Sequence, residues 1–210
     1  MAATCYGMTT RDRIIQSASF LIWRCGYNAV SVDAICEAAK VVKGSFYHAF
    51  SSKEELLIAA IQYRWEADRK EILACYSTDE DLEAQFQSHL EWFGMNQRRL
   101  FARFGFVPGN FNMSIESGVP VAALEAVKLS REGHSKIVLD SISRLLGMNS
   151  DDERAGWLAM LVGRFITGAL MEARLQNSLD PFNTLPESIF ALVGLIPQPG
   201  LESAGRAPRI

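Results

Sequence analysis

The sequence predicts an all-α fold in two unequal parts, a short N-terminal bundle of three helices and a longer helical remainder. Three observations predict it. Apolar residues recur every three or four positions through most of the 210 residues. Ser, Thr or Asp stands where those runs begin and Gly where several end, the usual polarity of helix caps. No run alternates apolar and polar residues as a half-buried strand would.

Residues 1–8 read as a loose arm. Thr9 or Thr10 caps a first helix with Asp12 near its positive end, and Ile14, Ala18, Ile22 and Cys25 form its apolar stripe until Gly26 supplies a left-handed stop. Ser31 caps a second helix, Val32 to Ala39, buried through Val32, Ile35 or Cys36, and Ala39. After a short break a third helix runs from about Val42 to Tyr47, too short to stand alone, with Phe46 and Phe50 as its anchors. Two packed short helices joined by a small turn describe a helix-turn-helix.

Ser52, three residues before Glu55 and just ahead of Leu56 and Leu57, forms a capping box. The long helix it opens runs to about Cys75, with Leu57, Ile61, Trp65 and Ile72 on one face. Thr78 and Asp79 start the next helix, carrying Phe86, Leu90 and Phe93. Residues 96–112 read as aromatic and broken, through Phe101, Phe104, Phe106 and Phe111 with Gly105, Pro108 and Gly109 between them. Pro120 suits the first turn of a helix that Gly147 ends. A helix over Arg154–Leu175 is apolar on most sides and predicts a central position or cover by a second chain, with Pro181 as its breaker. A last apolar helix spans about Pro186 to Leu195, and the Pro/Gly-rich residues 197–210 read as a disordered tail.

Charge is distributed unevenly. Overall the formal net charge is −3, yet residues 1–53 hold six Lys or Arg (Arg11, Arg13, Arg24, Lys40, Lys43, Lys53) against three acids (Asp12, Asp33, Glu37). A basic head on an acidic body fits a polyanion at one end only. The four cysteines, Cys5, Cys25, Cys36 and Cys75, show no metal spacing and fit a reduced cytoplasmic compartment. No signal peptide or membrane span is read. The histidines, His48, His89 and His134, lie in separate segments, and no P-loop, nucleophile elbow or HExxH pair occurs. The chain therefore reads as a binding protein, not an enzyme, with no cofactor or metal implied.

The segment from Arg11 to Leu57 resembles the DNA-binding domain of the tetracycline-repressor (TetR) family. The likeness is carried by GYNAVSVDAI, by the AA…VVKGSFYHAF helix pair and by SSKEELL. It implies a helix-turn-helix DNA-binding domain in residues 1–53, a helical ligand-binding and dimerisation domain in residues 54–196, and a homodimer on two-fold-symmetric, double-stranded operator DNA. It implies a repressor released by a small molecule. Residue by residue, the resemblance assigns DNA contact to Ser31, Lys40, Lys43, Gly44, Ser45, Tyr47, His48 and Lys53. Ser31 caps and donates to a phosphate, Lys43 reaches a phosphate or a guanine edge, and Gly44 lets the backbone approach. Three positions depart from the family pattern: Lys40 stands where Gly is frequent, Val42 where Ser or Thr caps, and Ala49 where His is frequent. The operator sequence is therefore this chain's own.

The segment Phe106 to Asn110 resembles a Gly-Asn segment found in one branch of the family. The aromatic middle predicts an adaptable, largely apolar pocket. Its candidate ligand residues are Trp92, Phe93, Phe104, Phe111, Asn110, Trp157, Met160 and Arg164, the last placed to pair with a carboxylate. His89, Gln97, Asn112 and Glu116 are further polar candidates. Dimer pairing is expected through about 154–175 and 186–196. Ligand binding is expected to swing the 53–75 helix and so change the spacing of the two heads. The other readings are a helical ligand-binding or interaction module without DNA binding, and a redox-sensing repressor acting through Cys36.

Overall fold

The computed structural model describes residues 8–107 and 118–194. Their order is α1 (Thr10–Cys25), α2 (Val32–Ala39), α3 (Lys43–Ala49), α4 (Lys53–Ala74), α5 (Leu82–Phe104), α6 (Val121–Leu146), α7 (Glu153–Gln176), a 3-10 turn (Asp180–Phe182) and α8 (Leu185–Val193). Among the described residues every regular element is helical, and no helix is long and apolar enough to cross a membrane.

Local chemistry sets the termini of the head. Thr9 and Asp12 close a reciprocal capping box on α1. Gly26 ends α1 at φ 89, ψ 157, an extended conformation open to glycine and not the left-handed turn expected. The Ser31 side chain accepts from the Ala34 N–H at the start of α2. Lys40 ends α2 in the left-handed region, at φ 54 and ψ 49. Val42 precedes α3 with no side-chain cap. What holds α3 is Phe46, fully buried, and Phe50 just after it, 1% exposed. The Ser52 hydroxyl accepts from the Glu55 N–H, but the Glu55 carboxylate reaches past Ser52 to the Ser51 N–H and hydroxyl. The capping box is thus displaced by one residue.

Two apolar cores follow. The first gathers Ile14, Ile15, Ala18, Ile22, Ile35, Phe46 and Phe50 with Leu56, Leu57, Ala60 and Ile61 of α4 and Ala123, Ala126 and Val127 of α6. It extends beyond residue 53, so the first turns of α4 are packed into the head. The second core gathers Phe86 and Leu90 of α5, Val138 and Ile142 of α6, Leu158, Val162, Ile166 and Leu170 of α7, and Leu185, Ile189 and Phe190 of α8. α4 and α6 cross where Gly133 meets Trp65; a Cβ on Gly133 would lie 2.5 Å from Trp65 Cζ2.

Several expected boundaries move. α5 starts at Leu82, because the Asp81 carboxylate caps the Ala84 N–H and leaves Thr78 and Asp79 in a turn. It then continues unbroken through Phe104, since residues 96–104 hold no Gly or Pro, and Gly105 ends it in the left-handed region. α7 ends at left-handed Asn177, not at Pro181, which lies in the 3-10 turn. Cys25 is exposed and does not belong to the α1 stripe, whereas Cys36 is buried. The expected arm and tail, and Asn110, Phe111, Asn112 and Glu116, lie largely or wholly outside the described residues.

Candidate nucleic-acid interface and internal cavity

α3 is a seven-residue helix that buries Phe46 and turns its other side outward. Lys43, Gly44, Tyr47 and His48 are exposed and Ser45 is half-buried. Nothing lies within 4 Å of a Cβ built on Gly44, so the space above it is open. Tyr47 stacks edge-on to Phe46 with centroids 5.2 Å apart, which fixes its ring while leaving it 53% exposed. The Lys43 ammonium pairs with Asp33 at 2.8 Å, tying the start of α3 to the first turn of α2. The hydrogen bond to Asp33 raises the Lys43 pKa above its ordinary value. Both partners are more than half exposed. Such a pair can exchange Asp33 for a phosphate at little cost.

The Ser31 hydroxyl accepts from Ala34 and keeps its own proton for a donor role at the surface. Lys40 is exposed at the opposite end of α2, at the tip of the turn. Lys53 departs from expectation. Its ammonium donates to the Tyr27 and Val30 carbonyls, both at 2.9 Å, and sits 4.1 Å from the Tyr27 ring centroid. It fastens α4 to the connector between α1 and α2 and does not project as a phosphate donor. The sequence reading missed the opposite wall of this surface: Thr9, Thr10 and Arg11 at the start of α1 form a shallow groove with Val42, Gly44, Ser45, His48 and Ala49.

Behind the head lies a cavity of about 640 Å³ between α4, α5, α6 and α7, with Trp23 of α1 at its end. Four of the expected ligand residues line it: Trp92, Phe93, Met160 and Arg164, and so does Gln97. Phe104 does not. It packs between Phe20 and Trp23, at centroid distances of 5.0 and 6.4 Å, because its position on α5 faces the head. Trp157 does not line it either; it lies on the outer side of α7, 56% exposed. His89 is fully buried one layer behind the wall.

Four wall residues that sequence reasoning passed over give the cavity its polarity: Arg64, Trp65, Asp68 and His134. Arg64 grips Asp68 through Nε to Oδ2 at 2.9 Å and Nη2 to Oδ1 at 2.8 Å, one turn apart on α4. Burial pushes the Asp68 carboxyl above its usual range despite the guanidinium beside it. The Arg64 guanidinium also lies 5.7 Å from the Trp23 ring centroid. Their spacing of four residues was the available signal for this pair. At the far side Glu71 accepts from Trp92 Nε1 at 2.7 Å and pairs with Arg99. The hydrogen bond from Arg99 holds the Glu71 carboxyl below its ordinary pKa.

His134 touches His89 through Nε2 to Nε2 at 3.3 Å, and His89 Nδ1 lies 2.7 Å from the Tyr76 hydroxyl. Burial keeps these imidazoles neutral, lowering His134 to about 4 and His89 well below the usual value.

On the outer face of α7, Trp157, Phe165, Met171 and Leu175 are exposed, and Leu175 is 82% so. Helical spacing places them along one side. α8 turns Leu185, Ile189, Phe190 and Val193 inward and leaves less apolar surface uncovered.

Residues 14–60 match the family model described as bacterial regulatory proteins, tetR family. The chain is 33% identical over 97 residues to the transposon Tn10 TetC protein of Escherichia coli, covering 44% of this chain and 48% of that protein. It is 27% identical over 109 residues to an uncharacterized HTH-type transcriptional regulator in the lacX 3′ region of Lactococcus lactis subsp. lactis, covering 51% of this chain and 56% of that protein. The matched stretch thus spans about half the length of these curated relatives. In fold, the chain is similar to the regulatory protein TetR from Rhodobacter sphaeroides, with a TM-score of 0.73 at 22% identity over 87% of this chain and 98% of that one.

Proposed function

We propose, for a chain that belongs to the tetR family of bacterial regulatory proteins through residues 14–60, that it is a dimeric operator-binding repressor released by a small, largely apolar effector. The observation that carries this reading is α3: a short helix held by two buried phenylalanines, with Lys43, Gly44, Ser45, Tyr47 and His48 on its outer side and open space above Gly44. In a major groove such a helix offers an ammonium to phosphate or guanine, a hydroxyl and an imidazole to phosphates, and a bare backbone at the closest approach. Ser31 and Lys40 flank it from the preceding helix and turn. The groove beside it, with Thr10 and Arg11, fits the adjacent phosphate backbone.

Two heads are needed to read two half-sites about 34–36 Å apart. The exposed apolar side of α7, with a smaller share from α8, supplies the surface for pairing two chains. The effector occupies the cavity, whose walls include Trp23 of α1 and Ile61, Arg64 and Trp65 of α4. A molecule bound there touches the head and its connecting helix directly. Gly133 lets α6 pack closely on the Trp65 ring, so an effector that presses on that ring would press α4 against α6. Each tenfold loss of operator affinity requires ~1.4 kcal/mol of preference for the displaced state.

A gel shift with the DNA flanking the chain's own gene tests the reading. The parent binds, and Lys43→Ala and Tyr47→Ala bind more weakly. If both variants bind as tightly as the parent at moderate salt, the contact surface is misassigned. The cysteine reading is disfavoured: burial and Asp33 raise the Cys36 pKa, which suppresses the reactive thiolate.

A further inference from the structure

The charges lining the cavity do not balance, and the side chain left over sets the class of effector, an inference that deepens the effector reading and rests on it. On α6 the wall is one stripe, Leu124, Val127, Arg131, Ser135 and Val138, spaced three or four residues apart. Val127 and Val138 are buried, 5% and 1% exposed. Arg131 stands in the middle of this otherwise uncharged stripe and is itself exposed, so its guanidinium lies at the opening of the cavity.

The other charges on the wall cancel or are absent. Arg64 and Asp68 hold each other through two contacts, at 2.9 and 2.8 Å. Lys128 is shared by Glu125 at 3.4 Å and Glu132 at 3.9 Å on its own helix. Glu132 does not serve Arg131, because neighbours in sequence do not face each other on a helix. Burial lowers the His134 pKa to about 4, which leaves that ring neutral near pH 7. Two cations remain, Arg131 and Arg164 of α7. Among the described residues neither guanidinium has an ion pair or a hydrogen bond. α6 and α7 pack as a hairpin joined by residues 147–152. At ~1.5 Å per residue Arg131 lies about 22 Å from the Leu146 end of α6, and Arg164 about 17 Å from the Glu153 start of α7. The two long side chains thus start about one turn apart in level, within reach of one anion.

Further in, the walls are apolar: Trp92, Ala159 and Leu170 are 6%, 3% and 4% exposed, with Phe93 beside them. Gln97 also lines the cavity, 7% exposed and with no partner for its Oε1, so the interior can use a polar ligand atom as well. Next to Arg164, a Cβ built on Gly163 meets nothing within 4 Å, which keeps the approach open. We propose that Arg131 is the anion anchor of this cavity, seconded by Arg164, and that the effector is an amphipathic monocarboxylate whose apolar body lies against Trp92 and Phe93. The guanidinium fork matches a carboxylate with two parallel N–H donors. A neutral molecule of the same shape leaves both cations unpaired, and an amine meets two like charges.

Calorimetric titration of the full chain with 2-naphthoate and with 2-naphthamide at neutral pH tests this, since the two share a shape and differ in charge. The parent binds the carboxylate on the order of ten-fold more tightly. Arg131→Gln, which keeps a polar side chain at an exposed position, binds the two within about three-fold of each other. Arg131→Lys returns the charge without the fork and recovers part of the preference. Arg164→Gln lowers the preference by a smaller factor than Arg131→Gln. Thermal melts of these variants match the parent, because each replaced side chain is exposed and unpaired. The proposal is overturned if the amide matches the naphthoate in the parent, if neither binds, or if Arg131→Gln keeps the full preference. A gel shift on the same preparations separates the two readings. A chain that holds operator DNA without a carboxylate preference loses this assignment alone; one that prefers naphthoate but holds no DNA loses the regulator reading alone.

Discussion

At the scale of single residues, the head departs from the family pattern without losing its surface. Lys40 holds a left-handed conformation at φ 54 that glycine would adopt freely. Replacing it relieves strain but also removes a cation from the tip of the turn. Lys40→Gly should melt at or above the parent's temperature while its operator affinity falls less steeply with salt, a slope reduced by about one contact. Gly44 gives the cleaner separation. With nothing within 4 Å of an added Cβ, Gly44→Ala should leave the free protein unchanged or stabilised by up to about 1 kcal/mol in thermal melts. The same methyl should weaken operator binding on the order of ten-fold, because it fills the space that the proposed interface gives to DNA. His134 gives a pH test. Its unfolded imidazole takes up a proton near 6.5, the folded one only near 4. Protons therefore favour unfolding between these values: the stability from a neutral buried His134 is full above pH 6.5 and is lost as pH falls toward 4, by up to about 3 kcal/mol. Denaturant midpoints measured across that window should fall with acid in the parent and be flatter in His134→Phe.

Among the elements, α4 ties the molecule together. Lys53 at its start binds the Tyr27 and Val30 carbonyls, and Lys53→Met should lower stability by about 2 kcal/mol, read from denaturant unfolding without DNA. An unchanged midpoint would return Lys53 to the role of a surface phosphate contact. Further along, Gly133→Ala drives a Cβ to 2.5 Å from the Trp65 ring. That variant should bind operator more weakly with no effector present, and pairing it with Trp65→Leu should restore part of the loss in the same gel shift. The helices themselves were legible because caps are local: Thr9, Ser31, Ser52 and Gly147 each act within four residues of their place in the chain. The anchoring of α3 by Phe46 and Phe50 was legible for the same reason. The cavity was not. Arg64 and Trp65 of α4 meet His134 of α6 only in the folded chain, and aromatic identity alone could not tell the inward Trp92 from the outward Trp157 or the head-facing Phe104. The role of Lys53 depends on carbonyls 23 and 26 residues away, a distance at which local pattern carries no information.

For the whole molecule, charge and apolar surface are segregated. The six basic residues of positions 1–53 belong to the head, and the uncovered apolar side of α7 lies in the rest of the chain. Phe165→Glu combined with Leu175→Glu should yield a monomer in sedimentation and lose most operator affinity while the head still melts cooperatively. Retention of the dimer would place the pairing surface elsewhere. The cavity lies between these two parts, and α4 gives its position a mechanical meaning. Ile72, 1% exposed, anchors the far end of that helix in the interior. At ~1.5 Å per residue, Trp65 lies about 10 Å from Ile72 and Lys53 about 28 Å from it. With Ile72 as fulcrum, a displacement of about 1 Å at Trp65 becomes nearly 3 Å at Lys53, whose ammonium passes it to the head through the two carbonyls it holds. On the proposed reading the helix is geared: a ligand that moved this indole by about 1 Å would shift the head by nearly 3 Å, most of the rise between neighbouring base pairs.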